Sequence, residues 1–412
     1  MALRVARVDW VEGEGAYYND DLLAIRAGAP KDGLVYGGDP VTPGLDAVRR
    51  PARALLLRIE AESGAVGWGD AMSVQYAGVG GRDLPVDPAA LADELAAARD
   101  LLLGAGETGF RAGSDLVDAH RLADGRQLHT ALRYGLSQAL LSVEAADRGV
   151  TPLRVLADET GLVAPRLVPV YAQSGDERRL NADRMILRRV EVLPHGLFNS
   201  TEAFGVDGGA FLDYVRWLVT RTREIGGADY RPRLHLDVYG MLGLVTGQDV
   251  DRMAAFLTEV EAIADGLEVA LEAPCLGDDT DTTIELLAAL RARLVAQGTR
   301  VRLVADEFCN GDEDVLRFVQ AGAVDLIQIK MPDLGCLTEA LKAAAACRAG
   351  GLGVFIGGSC AETDLSAQLS AQLAMAVDAD QVLAKPGMGV DEGIAIVRNA
   401  MRRALVEWEC GR

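Results

Sequence analysis

The sequence contains no long hydrophobic run. Residues 365–377 form one of its longest uncharged stretches, but they include two Gln and two Ser and are too short to span a bilayer. The amino terminus, MALRVARVDWVEGEG, has no apolar core of the length that a secretory signal peptide needs. We therefore expect a soluble protein that has no membrane partner.

Cysteine is also scarce. The chain of 412 residues has six cysteines, at positions 275, 309, 336, 347, 360 and 410, and they form no C-x-x-C pair and no disulfide-like spacing. A disulfide framework of the kind found in secreted proteins is thereby disfavoured. Together with the absence of a signal peptide, this usage predicts a reduced, cytoplasmic protein.

Basic residues are outnumbered by acidic ones. The 41 Lys and Arg stand against 61 Asp and Glu, so the formal net charge is −20. A nucleic-acid partner is disfavoured, because its phosphates need clustered Lys and Arg. An anionic substrate would need a locally positive site in such a protein, and a bound metal ion is the simplest source of that charge.

The chain divides near residue 160, which gives an N-terminal α+β domain over 1–160 and a second domain over 161–412. A cap at Asp87-Pro88 is expected to start the first helix, and Gly149 is expected to stop the second. The elements predicted in the first part are strands at 4–10, 52–60 and 66–72, an irregular Gly- and Pro-rich stretch at 12–50, and helices at 89–103 and 130–148.

From about residue 166 onwards, short apolar strands alternate with amphipathic helices. The candidate strands are 168–173, 190–193, 234–238, 267–273, 301–306, 325–330, 353–356 and 381–384. Eight strands that alternate with helices indicate parallel βα units, and eight is the number that closes a barrel. The active site of such a barrel lies where its strands end and the following loops begin.

Three consecutive strands end in carboxylates. Asp237, Glu272 and Asp306 are separated by 35 and 34 residues, about one βα unit each, so they should converge at the barrel mouth. Clustered carboxylates repel one another unless a cation lies among them, and hard oxygen ligands suit Mg²⁺. The alternative for any one of them is a helix cap or an ion pair with an arginine.

Two further strand ends carry groups that could move protons. Lys330 closes the sixth strand, and we expect burial and an adjacent divalent cation to lower its pKa so that it serves as a general base. The alternative is a buried ion pair with Asp306. His195, one of only four histidines, follows the second strand and would approach from the opposite side of the barrel, although a lone histidine is often structural.

A glycine-rich segment, SVQYAGVGGRDL, follows a strand of the first domain and contains Gln75. It has no G-x-G-x-x-G or P-loop pattern that would cradle a phosphate. Its residues could form a plain turn, or the amide of Gln75 could reach over the barrel mouth and bind substrate. The spacing does not choose between these two interpretations.

At these residues the chain resembles the methylaspartate ammonia-lyase family of the enolase superfamily. That resemblance implies a modified TIM (β/α) barrel preceded by an α+β capping domain. The matching segments occur in the same order over essentially the whole chain, and they are VQYAGVGGRD, LHTALRYG, VPVYAQSGD, VLPHGL, HLDVYG, LVADEFCN, LIQIKMPDLG, GGSCAET and QVLAKPGMGVDEG.

The activity that the resemblance implies is elimination of ammonia from L-threo-3-methylaspartate through an enediolate, giving mesaconate. Asp237, Glu272 and Asp306 would bind Mg²⁺. Lys330 would take the C3 proton, and His195 would assist from the opposite face and act on the other diastereomer. The substrate-binding residues would be Gln75 at the amino group, Gln173, Gln328, Ser359 and the Cys360 backbone at the carboxylates, and Leu383 at the methyl group. A homodimer and K⁺ activation are also implied.

The chain departs from the family pattern at two of these places. Ser359 stands where the family has threonine, which keeps the hydroxyl and loses a methyl group. Tyr171 replaces a phenylalanine, which could change the polarity of the pocket. Carboxylate binding should survive the first change, which puts only the fine packing around the substrate in doubt.

Two other functions stay open at this point. One is a racemase, dehydratase or cycloisomerase of the same superfamily, which Lys-x-Lys on the second barrel strand would favour, but Pro-His-Gly stands there. The other is a catalytically inactive barrel that serves as a binding or structural protein. Loss of a metal ligand or of Lys330 would indicate such a protein, and all four residues are present.

Overall fold

The N-terminal part of the chain forms a three-stranded antiparallel sheet that is covered by helices. The computed structural model describes residues 3–79, 81–309, 311–388 and 390–411, except for the side chains of residues 26 and 312. The elements of the N-terminal domain are β1 (Val5–Asp20), α1 (Leu22–Arg26), β2 (Lys31–Asp32), β3 (Val35–Tyr36), β4 (Arg49–Ala61), β5 (Val66–Met72), α2 (Ala92–Gly104), α3 (Phe110–Ala119), α4 (Thr130–Arg148) and α5 (Pro152–Thr160).

The central strand of the sheet is β4, which pairs with β1 on one side and β5 on the other. Its Leu55, Leu57 and Ile59 are buried at every second position, which is the period of a strand with one face on the core. The predicted irregular stretch at 12–50 is wrong at both ends, because β1 continues to Asp20 and pairs there with Arg49. The outer half of β1 contains glycines and mixed exposure, so its alternation was too weak to indicate a strand.

The helix α4 lies unusually close to β5. A Cβ atom on Gly69 would lie 2.0 Å from the carbonyl oxygen of Gly135, and one on Gly67 would lie 2.2 Å from the Val143 nitrogen. Glycine is therefore required for this approach of two backbones. The predicted limits of α4 and its stop at Gly149, which has a left-handed backbone, are confirmed.

The start of α2 differs from the prediction. The helix begins at Ala92, and the Asp87 side chain accepts from the Ala89 nitrogen at 3.1 Å, inside a preceding turn. Asp87 therefore closes that turn and does not cap the helix. Local capping patterns predict the neighbourhood of a helix start better than its exact residue.

The rest of the chain forms a closed barrel of parallel strands with helices outside, as predicted. Its elements are β6 (Val170–Ala172), α6 (Arg178–Leu187), β7 (Val192–His195), α7 (Thr201–Phe204), α8 (Gly209–Gly226), β8 (Arg233–Asp237), α9 (Met241–Thr246), α10 (Val250–Ala264), β9 (Val269–Glu272), α11 (Thr280–Gln297), β10 (Arg302–Ala305), α12 (Asp312–Ala321), β11 (Leu326–Ile329), α13 (Met331–Leu334), α14 (Leu337–Ala349), β12 (Gly353–Ile356), α15 (Asp364–Ala376), β13 (Gln381–Ala384) and α16 (Val390–Glu409).

The eight barrel strands are neighbours in chain order, and β13 closes the barrel on β6. All eight lie where the sequence predicted them, with each end within two residues of its predicted position. The largest change of position is in β7, which runs over Val192–His195 where 190–193 was predicted, so His195 is the last residue of the strand. Among the described helices, none is long and apolar enough to cross a membrane.

Candidate active site

A cavity of about 1070 Å³ lies at the carboxyl ends of the barrel strands. Segments of the N-terminal domain contribute to its wall, including Gln75 and Tyr76. Every residue predicted for the site from the sequence lines this cavity: Gln75, Gln173, His195, Asp237, Glu272, Asp306, Gln328, Lys330, Ser359, Cys360 and Leu383. The fold therefore brings together residues that are up to 308 positions apart, counting from 75 to 383.

The three carboxylates form the floor of the cavity. Asp237 and Glu272 are the last residues of β8 and β9 and lie opposite each other in the strand register, and Asp306 directly follows β10. One oxygen from each lies within 4.8 Å of those of the other two, and all three residues are buried. Parallel strands in register thus deliver three oxygen ligands to one point.

Electrostatic repulsion makes this point suitable for a cation. Burial, followed by the charges of Asp237 and Asp306, raises the pKa of Glu272 well above its ordinary value. A divalent cation among the three groups would remove the repulsion. Three carboxylates that leave room in an adjoining cavity for further oxygen ligands suit Mg²⁺.

Lys330 lies at the edge of this cluster. Its Nζ is 2.8 Å from the Asp306 carboxylate, so the ion pair considered as an alternative is present. Burial opposes the ammonium form, but the charge of Asp306 and of other acidic groups outweighs burial and raises the pKa of Lys330. The prediction of a lowered pKa is therefore wrong for the protein groups alone, because it counted burial and a cation and left out the carboxylates.

His195 lies across the barrel from Lys330, since β7 and β11 are four strands apart in the ring of eight. Its Nε2 is 3.4 Å from Asp237, and its Nδ1 is buried with no protein partner among the described residues. The His195 backbone is left-handed, with a φ of 72°. Non-glycine residues in that conformation concentrate at functional sites, and the free ring nitrogen is one that a ligand could occupy.

Gln75 occupies a turn and still reaches the cavity. Its amide nitrogen donates to Asp20 at 2.7 Å, and the Cys360 thiol donates to its amide oxygen at 3.5 Å. Asp20 is itself paired with Arg49 at 2.6 Å. The plain-turn interpretation is therefore incomplete, because the side chain of Gln75 is held between the N-terminal domain and the loop after β12.

The remaining predicted residues surround the carboxylates with polar and apolar groups. The Gln328 amide donates to Glu272, and the Gln173 amide oxygen has no partner among the described residues. The Ser359 hydroxyl accepts from the Ala361 nitrogen at 3.2 Å. Leu383 packs in a small apolar cluster with Tyr171, Val192 and Phe355. The Tyr171 hydroxyl also lacks a partner in the described structure.

Several charged residues of the cavity wall were not predicted from the sequence, and Glu307 and Arg82 are two of them. Burial, with the charge of Asp306, raises the pKa of Glu307 to about 8, and one of its oxygens is buried without a described partner. Arg82 contacts Asp333 at 2.8 Å and so joins the glycine-rich segment to helix α13, which follows Lys330. The adjacency of Glu307 to Asp306 could have indicated it, whereas nothing in the local sequence relates Arg82 to Asp333.

Family models match both parts of the chain. The model for the methylaspartate ammonia-lyase N-terminus matches residues 3–161, and the model for the C-terminus matches residues 162–409. A methylaspartate ammonia-lyase of Haloarcula marismortui is 43% identical, over 98% of this chain and 97% of its own length.

Solved structures agree with this assignment. β-Methylaspartase of Clostridium tetanomorphum, solved as a Mg complex, has a TM-score of 0.95 at 38% identity and covers 99% of this chain and 100% of its own. The Citrobacter amalonaticus enzyme, solved with (2S,3S)-3-methylaspartic acid, has a TM-score of 0.94 at 38% identity, over 99% and 100% of the two chains.

More distant structures share the fold alone. Muconate lactonizing enzyme of Pseudomonas fluorescens has a TM-score of 0.62 at 16% identity, covering 96% of this chain and 89% of its own. The predicted enolase-superfamily fold, with a sheet domain before a closed barrel, is confirmed. The predicted reaction class, a carbon–nitrogen lyase, is confirmed as well. The chain belongs to the methylaspartate ammonia-lyase family.

Proposed function

We propose that this protein eliminates ammonia from L-threo-3-methylaspartate to give mesaconate, with Mg²⁺ as its cofactor. In this reaction the C3–H and C2–N bonds break, the C2=C3 bond forms, and ammonia leaves. The observation that carries the proposal is the placement of three clustered carboxylates, Lys330 and His195 around one cavity. The Mg²⁺ and the (2S,3S)-3-methylaspartic acid of the two solved family members support the same cofactor and substrate.

Asp237, Glu272 and Asp306 would hold the Mg²⁺. Their oxygens are close enough to share one ion, and burial together with the charges of Asp237 and Asp306 raises the pKa of Glu272. When bound, the ion would offset the negative charge of the three carboxylates and that which develops on the substrate carboxylate as the C3 proton leaves. The remaining work of the site falls to side chains of this chain.

Lys330 would accept the C3 proton of the L-threo substrate. The Asp306 carboxylate fixes its Nζ at 2.8 Å, at the cavity wall. Asp306 is also one of the proposed ligands, so its charge would then be shared between the ion and the lysine. The Lys330 ammonium would lose part of the attraction that raises its pKa and could become the neutral amine that a base must be.

His195 would act from the other face of the substrate. It enters from the strand opposite Lys330, and its unpartnered Nδ1 makes one nitrogen available to a ligand. We propose that it contacts the substrate carboxylate nearest the cation and serves as the base for the L-erythro diastereomer. Two bases on opposite strands are the arrangement that two C3 configurations require.

Binding groups would surround both ends of the substrate. We propose that Gln75 binds the amino group, which leaves near the turn that carries this residue. Gln173, Gln328, Ser359 and the Cys360 backbone would bind the carboxylates. Leu383 would contact the C3 methyl group from the apolar cluster that it shares with Phe355.

The direct test is turnover by the purified full chain. Incubation with L-threo-3-methylaspartate and Mg²⁺ should produce mesaconate, measured by its ultraviolet absorbance, together with one ammonia per mesaconate. EDTA should abolish the signal, and added Mg²⁺ should restore it. Turnover that persists in metal-free buffer, or absence of mesaconate with Mg²⁺ present, would contradict the proposal.

Four expectations accompany this function. We propose a homodimer in the cytoplasm, K⁺ as an activator, and a boundary between residues 160 and 161 that separates the capping domain from the barrel. The end of α5 at Thr160 and the start of β6 at Val170 support that boundary. Sedimentation equilibrium would test the homodimer. Initial rates measured with K⁺ replaced by tetramethylammonium would test K⁺ activation.

A further inference from the structure

The interior of the barrel contains an unusual polar layer. Side chains that fill such barrels are mainly bulky and apolar, but here His235 on β8 and Gln381 on β13 are both fully buried. The His235 ring stacks on Tyr171, with ring centroids 4.4 Å apart, and lies edge-on to Phe355. Two polar side chains in such surroundings are costly unless their hydrogen bonds are made.

These side chains form a continuous chain of hydrogen bonds that ends on Glu272. Arg233 Nη1 donates to the Gln381 amide oxygen at 3.3 Å. The Gln381 amide nitrogen lies 2.7 Å from His235 Nδ1, and His235 Nε2 lies 2.7 Å from Glu272 Oε2. The chain thus starts near the amino ends of the strands and finishes at a carboxylate of the cavity floor.

The donors and acceptors settle the direction of every bond. A guanidinium can only donate, so the Gln381 oxygen must face Arg233 and its NH₂ group must face His235. Nδ1 of His235 must then accept, which places the ring proton on Nε2. His235 therefore donates to Glu272, and the orientation of this imidazole is fixed from the side that faces away from the cavity.

Glu272 differs in its partners from Asp306, which is paired with the Lys330 ammonium. Asp237 accepts from the Tyr239 nitrogen at 3.2 Å and has the His195 ring 3.4 Å away. Both oxygens of Glu272 are instead held by donors that need carry no charge, His235 on Oε2 and the Gln328 amide on Oε1. Two such donors fix the carboxylate while they leave its negative charge for a cation.

We propose that His235, oriented by Gln381, is a positioning residue for the metal site, which holds Glu272 in the geometry that binds the cation. This inference rests on the proposed function, since it takes Glu272 to be a ligand. Partners behind a ligand commonly change metal affinity by roughly 10- to 100-fold when they are removed. We expect an effect of that size at His235.

Two amide substitutions separate the two contacts of His235. In His235→Gln the amide reaches as far as Nε2 and can donate to Glu272. In His235→Asn the amide ends near the position of Nδ1, so it keeps the Gln381 contact and cannot reach Glu272. Tyr230→Phe is the matched control, because it removes one buried hydrogen bond, to the Val190 carbonyl, outside the cavity wall.

The measurement is Mg²⁺ binding to the metal-free protein by isothermal titration calorimetry, with no substrate present. We expect His235→Asn to raise the Kd roughly 10- to 100-fold, and His235→Gln and Tyr230→Phe to stay within about threefold of wild type. Equal Kd values for the Asn and Gln variants would overturn the inference. Wild type that binds no Mg²⁺ would instead contradict the metal assignment in the proposed function.

Thermal unfolding in EDTA separates a local effect from a general loss of structure. All three variants should unfold cooperatively in EDTA, and only wild type, His235→Gln and Tyr230→Phe should be strongly stabilised when Mg²⁺ is added. If an amide variant fails to fold, Gln381→Leu is the alternative test. It removes the hydrogen bond to His235 Nδ1 and should raise the Mg²⁺ Kd at least threefold, whereas an unchanged Kd would overturn the inference.

Discussion

Two lysines directly follow strands of the same barrel, and they differ in burial and in surroundings. Lys330 follows β11 and Lys385 follows β13, and each ammonium lies 2.8 Å from a carboxylate, Asp306 and Glu362 respectively. Their position relative to the strand does not distinguish the two lysines, but the groups that surround them do.

Lys385 has no access to the cavity. It is fully buried and also donates to the Gly357 carbonyl at 2.9 Å. Burial lowers its pKa in spite of the charge of Glu362. The Lys330 side chain, by contrast, is 18% exposed at the wall of the cavity, and carboxylates raise its pKa.

The partners of Lys385 show what it does. Glu362 also accepts from the Ser359 nitrogen at 2.7 Å and from the Tyr134 hydroxyl of α4 at 2.6 Å. Lys385 thus balances the charge of Glu362, and the Glu362 carboxylate ties the loop that carries Ser359 to the N-terminal domain. The comparison shows that a strand-end lysine is a candidate base only where it faces a cavity, and that the same ion pair elsewhere is structural.

The largest expected effect is on turnover when Lys330 is removed. Lys330→Ala should lower kcat for the L-threo substrate by roughly 10²- to 10⁴-fold, because general-base catalysis is worth about that much. The fold should survive, since the cavity can hydrate Asp306. Lys342→Ala, which removes an ion-paired lysine on α14, is the control and should retain its rate. Wild-type turnover by Lys330→Ala would contradict the assignment of Lys330 as the general base.

The matching experiment on the second lysine concerns stability. Lys385→Met should lower the free energy of unfolding by about 3–5 kcal/mol, because it leaves the Glu362 carboxylate buried without its cation. Urea denaturation of Lys385→Met beside Lys330→Met would measure the contrast, and the second variant should lose much less. Equal losses would show that access to the cavity does not separate the two ion pairs.

A smaller effect is expected at the residue opposite Lys330. His195→Ala should suppress ammonia release and C3 hydrogen exchange from the L-erythro diastereomer, with a lesser loss on the L-threo form through weaker carboxylate binding. Lys330→Ala should show the reverse preference. Solvent deuterium incorporation at C3 measures both. Equal losses on the two diastereomers in both variants would leave only a shared structural role.

The smallest expected effect is a pH dependence of stability that is caused by Asp70, a buried carboxylate near Lys385. Burial raises the pKa of Asp70 from 3.8 to about 6, although the Thr363 hydroxyl donates to it. Its proton is bound more tightly in the folded state, so Asp70 favours folding at low pH and loses that contribution as pH rises through about 6.

Asp70→Asn should remove this dependence. Relative to wild type, its free energy of unfolding should rise by roughly 1 kcal/mol between pH 5 and pH 8. Urea denaturation at the two pH values measures the change, and the exposed Asp39→Asn is the control. If the difference in free energy of unfolding between Asp70→Asn and wild type is the same at both pH values, Asp70 has the same pKa in the folded and unfolded chains and the prediction is wrong.

The barrel and its cavity were largely predictable because both depend on periodic features. Strand ends about 35 residues apart identify Asp237, Glu272 and Asp306 without knowledge of the loops between them. The same reasoning could not find His235, since a residue two positions before a strand-end carboxylate carries no local sign of its partner Gln381, 146 residues away. Nor could it assign Lys385, whose role depends on Tyr134 in the other domain.

The contact between α4 and β5 has a consequence for how mutations are tolerated. Since backbone meets backbone at Gly69 and Gly135, no side chain there can be exchanged to adjust the distance between helix and sheet. The distance between α4 and the sheet is therefore fixed by the backbone. Tyr134, next to Gly135, is held at a fixed distance from the sheet for the same reason. In a library of single substitutions we would expect these two positions to accept almost nothing, although neither lines the cavity.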